Sequence, residues 1–262
     1  MTTFGSGAEG AAFGSNPGAW PLPSATTPDS RWLRAVAAGG QGHYASAHAD
    51  LETLLRSAPG APLISLAHST RGSFWRQLGW HVRARRCDGT AWALSGGAGE
   101  AGADALIGLA ADALGVGRFA ASRRALDRAA ELVADSPVGR LPIRLAWVSA
   151  ELAMARGDRS AVDHAARAVE LAAAVPSARH RVKSRLVLAA AHCAAGDLTA
   201  ARGDGDAALA QATEHALVPL QWAAASLLAG IGSVEFSPPQ VTDIRDSSAE
   251  TVIRRGGVWR PS

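Results

Sequence analysis

The chain has 262 residues, 48% of them hydrophobic and 19% charged, with a net charge of only +3. This length suits one or two compact domains or a single elongated repeat array. Acidic and basic residues are interspersed, which argues against nucleic-acid binding, because that function needs a concentrated basic surface. Cys87 and Cys193 lack the spacing of a metal or redox pair and predict buried thiols in a reducing, cytoplasmic compartment.

The first 26 residues are rich in glycine, serine, alanine and proline and carry a single charge. Such a segment lacks the apolar side chains that a core needs, so residues 1–26 are predicted to be disordered. The first helix is expected to begin with Thr27 as its N-cap, Pro28 in its first turn and Asp29 near its positive end. A helical domain is predicted over residues 27–232.

Five glycines recur along the chain at successive spacings of 37, 38, 40 and 39 residues. They are Gly42, Gly79, Gly117, Gly157 and Gly196. Each lies between two alanine-rich segments with helical periodicity, which predicts a helix–turn–helix unit repeated five times. In a solenoid of this kind, no unit can bury its apolar face without a neighbour. The predicted fold class is therefore all-α, a solenoid of about five repeats followed by a C-terminal capping helix.

The second half of the first unit carries a specific pattern. Residues 42–47 read GHYASA and are followed by Leu54 and a closing Pro59, and residues 117–119 repeat the glycine and the aromatic residue. Over roughly residues 28–231, this pattern resembles the tetratricopeptide repeat (TPR), although the spacing exceeds that family's period of about 34. The resemblance implies a right-handed solenoid whose first helices line a concave groove that holds a peptide or a segment of a partner protein.

Transferring the register of that family identifies the side chains that would face the groove. They are Ser69, Ser73, Arg76 and Gln77, then Ile107, Ala111 and Leu114, then Arg144, Trp147, Glu151 and Met154, and finally Lys183, Leu186 and Ala190. The polar members of this set, together with Trp147, are the candidate partner-binding residues. The resemblance thus implies a contact surface for a protein or peptide partner.

An unusual carboxylate lies in the second repeat. Asp88 is nine residues after its turn glycine, where the other four repeats have leucine, leucine, alanine and glycine. A charge at such an apolar, inward position needs a partner, because an unpaired buried charge is strongly destabilising. We predict a structural ion pair between Asp88 and either Arg71 or Arg76. The alternative is a polar ligand pocket that includes His68 and Arg76.

The densest basic run, residues 179–185, opens the first helix of the fifth repeat. At about 100° per residue, Arg179 and Lys183 share one side of this helix, and Arg181 and Arg185 share another. Because the charge is spread around the helix, a solvated face is expected. Weak anion binding is the alternative interpretation.

The C-terminal region begins with an uncharged stretch, residues 216–234. A proline, a glutamine and two glycines interrupt it, so it predicts the helix that closes the solenoid and not a membrane span. Residues 233–262 are expected to form a mostly disordered tail. The last segment combines Trp259 with arginines and is a candidate docking peptide, for a partner or for the protein's own groove near Glu151.

No set of residues has the spacing of a catalytic centre. The eight histidines show no H-x-x-x-H or H-E-x-x-H pair, and there is no nucleophile elbow or phosphate-binding loop. We therefore expect no enzymatic activity, no metal and no cofactor. The predicted function is a non-catalytic interaction scaffold that binds a partner segment in its groove. The alternative is a ligand-sensing or regulatory repeat module with a small polar pocket in the second repeat.

Overall fold

A computed structural model of the protein describes residues 6–134 and 136–261. Thirteen helices are the regular elements of these ranges, in agreement with the predicted all-α class. In chain order they are α1 (Ser6–Phe13), α2 (Pro28–Gly40), α3 (Tyr44–Arg56), α4 (Ala61–Gln77), α5 (His81–Leu94), α6 (Gly99–Leu114), α7 (Phe119–Ala134), α8 (Arg140–Arg156), α9 (Ala161–Ala173), α10 (Ala178–Ala195), α11 (Leu198–Glu214), α12 (Val218–Ile231) and α13 (Pro238–Arg254). None of these helices combines the length and the apolar character needed to cross a membrane.

The five periodic glycines join consecutive helices into hairpins. α2 packs on α3, α4 on α5, α6 on α7, α8 on α9 and α10 on α11. All five glycines have a positive φ, between 65° and 86°, a left-handed conformation that is strained for residues with a Cβ atom. Ala47 and Ala84, both fully buried, let the paired helices approach closely. The predicted helix–turn–helix connections are therefore confirmed at these glycines.

The start of α2 follows the prediction. Thr27 is the N-cap, and its hydroxyl oxygen accepts a hydrogen bond from the Ser30 amide at 3.1 Å. Pro28 occupies the first turn. A backbone N–H at this position would have no acceptor within the helix, so the N–H that proline lacks costs no hydrogen bond. This cap marks the point at which the chain enters the helical array.

The N-terminal segment contains a helix, so the predicted disorder of residues 1–26 is corrected for this part. Ala11 and Ala12 of α1 are buried against α2. Beyond α1, the Pro17 carbonyl accepts a hydrogen bond from the Gln41 side chain at 2.7 Å. The first five residues lie outside the described part. Packing against α2 orders this segment, although the segment has too few large apolar side chains to fold by itself.

The predicted disordered tail, residues 233–262, also requires correction, because it supplies α13, which packs on α12. The Ser237 amide donates to Gln240 Oε1 at 2.9 Å, as in a capping box. Val241 and Val252 of α13 are buried. Serine, two prolines and glutamine ahead of apolar residues on one helix face were the overlooked signal. The expected lone capping helix is thus half of a sixth hairpin.

The last hairpin contacts the first. Val252 of α13 lies in one apolar cluster with Tyr44 of α3. The Arg255 guanidinium donates to the Gln41 carbonyl at 2.6 Å, and the Ala45 amide donates to the Arg255 carbonyl at 3.0 Å. The array therefore closes on itself, and its first helices surround an interior space instead of lining an open groove.

The final residues fold back against the C-terminal end of α4. Trp80 Nε1 donates to the Val258 carbonyl at 2.7 Å, and the Arg260 amide donates to the Leu78 carbonyl at 2.9 Å. The proposed docking of this segment beside Glu151 is therefore replaced by a contact with the α4–α5 turn. This contact adds to the closure of the array.

Candidate functional site: a central cavity

A central cavity of about 500 Å³ lies among the first helices of the six hairpins. Side chains of α2, α4, α6, α8, α10 and α12 line it, together with Phe13 of α1 and His81 of α5. The apolar part of the wall includes Val36, Ile107, Leu114, Val148, Met154, Leu186 and Trp222. Cavities of about 300–1,000 Å³ with apolar walls and a few polar groups are typical small-molecule sites.

All but one of the candidate partner-binding residues line this cavity. They are Ser73, Arg76, Gln77, Arg144, Trp147, Glu151 and Lys183. Ser69 is the exception: its side chain is buried, and its hydroxyl has no hydrogen-bond partner among the described residues. Seven of the eight side chains therefore lie on the interior side of their helices, whereas binding of a partner by these residues stays a prediction.

Several other residues of the wall are not evident from the sequence: Phe13, Trp32, Arg140, Arg179 and His180. Phe13 belongs to the segment predicted to be disordered. Arg179 and Lys183 are four residues apart on the inward side of α10, whereas Arg181 is exposed. Arg179 therefore faces the cavity and not the outer surface, whereas Lys183 lines the cavity with 39% of its side chain exposed. The four-residue spacing was the signal that could have identified Arg179.

Arg76 of α4, in the cavity wall, binds two buried carboxylates behind it. Its Nη1 donates to Asp88 of α5 and, at 2.7 Å, to Asp112 of α6. Both aspartates are fully buried. Of the two arginines proposed as partners of Asp88, the structure places Arg76 there, whereas Arg71 has two buried guanidinium nitrogens without a partner in the described ranges. The cluster ties three helices together.

Two glycines make room for the Asp88 carboxylate. A Cβ atom at Gly72 would lie 2.6 Å from Asp88 Oδ2, and one at Gly108 would lie 2.5 Å from Asp88 Cγ. Both glycines lie inside helices, so neither is required by its backbone conformation. They are required because any side chain there would collide with the carboxylate.

Burial raises the pKa of Asp88 to about 8; Arg76 opposes this shift and Asp112 adds to it. Burial also disfavours the charged form of Arg76, but the two carboxylates outweigh it and raise the pKa of Arg76 above its ordinary value. At neutral pH Asp88 therefore retains its proton in the folded protein.

Asp88→Asn is expected to remove a pH dependence of stability. The pKa of about 8 exceeds the ordinary 3.8, so the folded protein holds a proton that the unfolded chain releases. This contribution is full below about pH 4 and is lost as the pH rises through about 8. In urea unfolding, the variant should match the wild type near pH 4 and exceed its stability near pH 9. The exposed Asp127→Asn is the control, and an equal difference at both pH values would contradict the shifted pKa.

A second charged cluster lies at the N-terminal ends of α6 and α8. Asp104 accepts a hydrogen bond from Arg140 at 3.2 Å and lies 3.1 Å from Arg144 Nε. Glu100 pairs with Arg140 at 2.6 Å. Burial would raise the pKa of Asp104, but the two arginines outweigh it and hold this pKa below its ordinary value. Asp104 is therefore ionised and committed to both arginines.

Arg179 of α10 reaches the same region of the cavity. Among the described residues it has no carboxylate partner, and its Nη1 donates only to the Val36 carbonyl, at 3.3 Å. Burial lowers the pKa of Arg179 to about 10, and repulsion from Arg144 and Arg140 contributes to the shift. The group is still protonated at neutral pH. Among the arginines of the cavity wall, Arg179 is thus the one whose positive charge no carboxylate of the described residues balances.

An aromatic pair lies beside these cations. The His180 ring stacks on Trp147 with centroids 5.2 Å apart, and the Lys183 ammonium lies 4.6 Å from the Trp147 ring centre. Lys183 Nζ is also 3.9 Å from Glu151 Oε1. Burial and the surrounding cations hold the pKa of His180 well below its ordinary value, so its imidazole is neutral. This part of the wall can contact both a charged and a planar group.

The arrangement is suited to binding an amphipathic molecule, because a cationic, partly aromatic region adjoins an apolar one. Comparison with models of known protein families gave no match, and a search of curated proteins found no similar sequence. The geometry of the cavity is therefore the basis for a functional proposal.

Proposed function

We propose that this protein is a non-catalytic, ligand-binding helical-repeat module that holds a small amphipathic molecule in its central cavity. Closure of the array is the observation that carries the proposal, because it surrounds the cavity with the first helices of six hairpins. The volume of about 500 Å³ fits a molecule of metabolite size. The site corresponds to the ligand-sensing function suggested by the sequence, with the whole cavity in place of a pocket confined to the second repeat.

The contact of Arg255 with Gln41 joins the two ends of the array, which supports a ligand small enough for the cavity over a partner segment laid along an open groove. A small ligand that contacts several hairpins binds the folded, closed array and not the unfolded chain. It therefore stabilises the protein by an amount that grows with its concentration relative to Kd. The stability of the folded array therefore depends on whether the cavity is occupied, and a regulatory module can use this difference.

The architecture we propose is a right-handed, TPR-like solenoid of about five repeats, in a cytoplasmic protein. The regular glycine spacing and the left-handed turns at these glycines support the repeat. Cys87 and Cys193 are free thiols, which suits a reducing compartment. An experimental structure would test the handedness, and localisation of a tagged chain would test the compartment.

Filling the cavity should weaken the binding of a neutral apolar probe. N-phenyl-1-naphthylamine becomes fluorescent in apolar surroundings, and titration into the wild-type protein should show saturable binding at one site per chain. Ala111→Trp and Ala190→Trp each place an indole at a cavity-lining position. We expect each to reduce the affinity at least about tenfold, because the added ring occupies the space of the probe.

Ala120→Trp, at an exposed position on α7, is the matched control and should bind like the wild type. Thermal unfolding checks that each variant is folded. If the cavity variants bind as tightly as the control, the probe occupies another site. If the folded wild type shows no saturable binding, the proposal gives way to the partner-segment function.

A further inference from the structure

We infer that the ligand of the central cavity is an organic anion whose carboxylate or phosphate group is held by Arg179, with Arg144 and Lys183 beside it. This inference rests on the proposed function, since it names the chemical class of the molecule that the cavity takes. The body of the ligand would lie against the apolar part of the wall.

Arg179 differs from the other guanidinium groups of the wall. Arg76, Arg140 and Arg144 each approach a carboxylate oxygen, at 2.7, 2.6 and 3.1 Å. Arg179 has no such partner in the part of the chain that the structure describes, and it donates only to the neutral Val36 carbonyl. A guanidinium carries five N–H donors in a planar fork that matches a carboxylate or a phosphate. Arg179 therefore retains donors for a bound anion.

The charges around Arg179 leave this region positive. Asp104 is already shared between two arginines. Glu151 lies 3.9 Å from Lys183, beyond hydrogen-bond distance, so this pair also leaves the ammonium donors available. The cations repel one another across the cavity. An anion placed among them would remove this repulsion and replace the lost hydration.

A neutral ring adjoins these cations. Ser177 Oγ accepts a hydrogen bond from the His180 amide at 3.4 Å and lies 2.7 Å from Nδ1 of the ring. The contact with Nδ1 holds the orientation of the imidazole, whichever ring nitrogen carries the proton. The neutral ring lines the cavity, so it adds a planar surface beside the charged donors.

The remainder of the wall points to an organic ligand. The indole N–H groups of Trp32 and Trp147 already donate to Thr70 and Ser184, at 2.9 and 2.8 Å, so their rings offer apolar faces. Aliphatic side chains continue this surface: Ile107, Leu114, Met154 and Leu186. A free inorganic anion would leave these faces against water, whereas an aromatic or aliphatic body would cover them.

A matched set of naphthalene probes separates charge from shape. On the same ring, 1-naphthoate carries a carboxylate, 1-naphthyl phosphate carries a phosphate and 1-naphthamide carries no charge. In isothermal titration calorimetry with the wild-type protein, at least one anion should bind about tenfold or more tightly than the amide, because charge-assisted hydrogen bonds are the stronger ones. The preferred anion distinguishes a carboxylate ligand from a phosphate ester.

Arg179→Gln should abolish this preference and leave the affinity for the amide within about twofold. Arg181→Gln is the control, because Arg181 is exposed on the same helix and should not affect any probe. Arg179→Gln should also raise the melting temperature of the ligand-free protein, since it removes a poorly compensated charge. If the variant does not fold, salt titration of the wild type replaces it: added salt should weaken binding of the anions but not of the amide.

Two results would overturn the inference while leaving the proposed function standing. One is an amide that binds as tightly as both anions. The other is an anion preference that survives Arg179→Gln, or that is insensitive to salt in the wild type. If neither the naphthalene probes nor N-phenyl-1-naphthylamine bind, the proposed function itself fails.

Discussion

Gly108→Ala should lower the free energy of unfolding by about 2–4 kcal/mol. The added methyl group would lie 2.5 Å from Asp88 Cγ, well inside van der Waals contact. Asp88 cannot move aside easily, because Arg76 binds its carboxylate and Gly72 leaves no spare room on the other side. Helix propensity offsets only about 1 kcal/mol of the loss. Urea unfolding followed by circular dichroism would measure the difference.

Gly89→Ala is the matched control for this substitution. Gly89 follows Asp88 in α5, and a Cβ atom there would meet no other atom within 4 Å. The change should therefore stabilise the protein by up to about 1 kcal/mol, because alanine is the better helix former. If the two substitutions change the free energy of unfolding in opposite directions, the effect of steric collision is separated from that of helix propensity. A neutral or stabilising Gly108→Ala would show that the carboxylate is not confined as these distances indicate.

Arg76→Met is expected to cost about 3–5 kcal/mol at neutral pH. Methionine fills much of the same space without a charge, so Asp88 and Asp112 would stay buried with no cation between them. The loss should be smaller near pH 5 than near pH 9. Without the guanidinium the pKa of Asp88 in the folded protein rises above about 8, so the variant continues to lose stability at pH values where the wild type no longer does. Urea unfolding at both pH values would test the size and the sign.

Arg71→Met is the control, because Arg71 is the other arginine that the sequence offers to Asp88. Its Nε and Nη2 are buried without hydrogen-bond partners in the described ranges. Removing unsatisfied donors should change the free energy of unfolding by less than about 1 kcal/mol, or increase it. Equal losses for the two arginine variants would show that Asp88 does not depend on Arg76 in particular.

The hairpin turns and the start of α2 could be predicted because each depends on a few neighbouring residues. A positive φ at Gly42 or Gly79 is a local property, and so is the cap at Thr27. α13 carried a similar local signal at Ser237, which the polar composition of the tail obscured. α1 carried none, since its alanines are ordered only by contact with α2.

The inward side of the first helices was implied by the resemblance to the tetratricopeptide repeat, and helical periodicity groups the side chains that share that side. The same periodicity groups Arg179 with Lys183, but it does not say whether that side faces solvent or a cavity. The sequence offered two possible ion-pair partners for Asp88, namely Arg71 and Arg76. The choice of Arg76 depends on how α4 is rotated against α5, which no local pattern specifies.

By itself, the amino-acid sequence determined an all-helical chain of hairpins and where their turns lie. Those features follow from backbone preferences and side-chain periodicity within a few turns of helix. Only the tertiary structure decided that the array closes, since this depends on contacts such as Arg255 with Gln41, 214 residues apart. Closure converts an open groove into a cavity and brings Arg179 among cations from other helices, because charges combine according to distance in space and not along the chain.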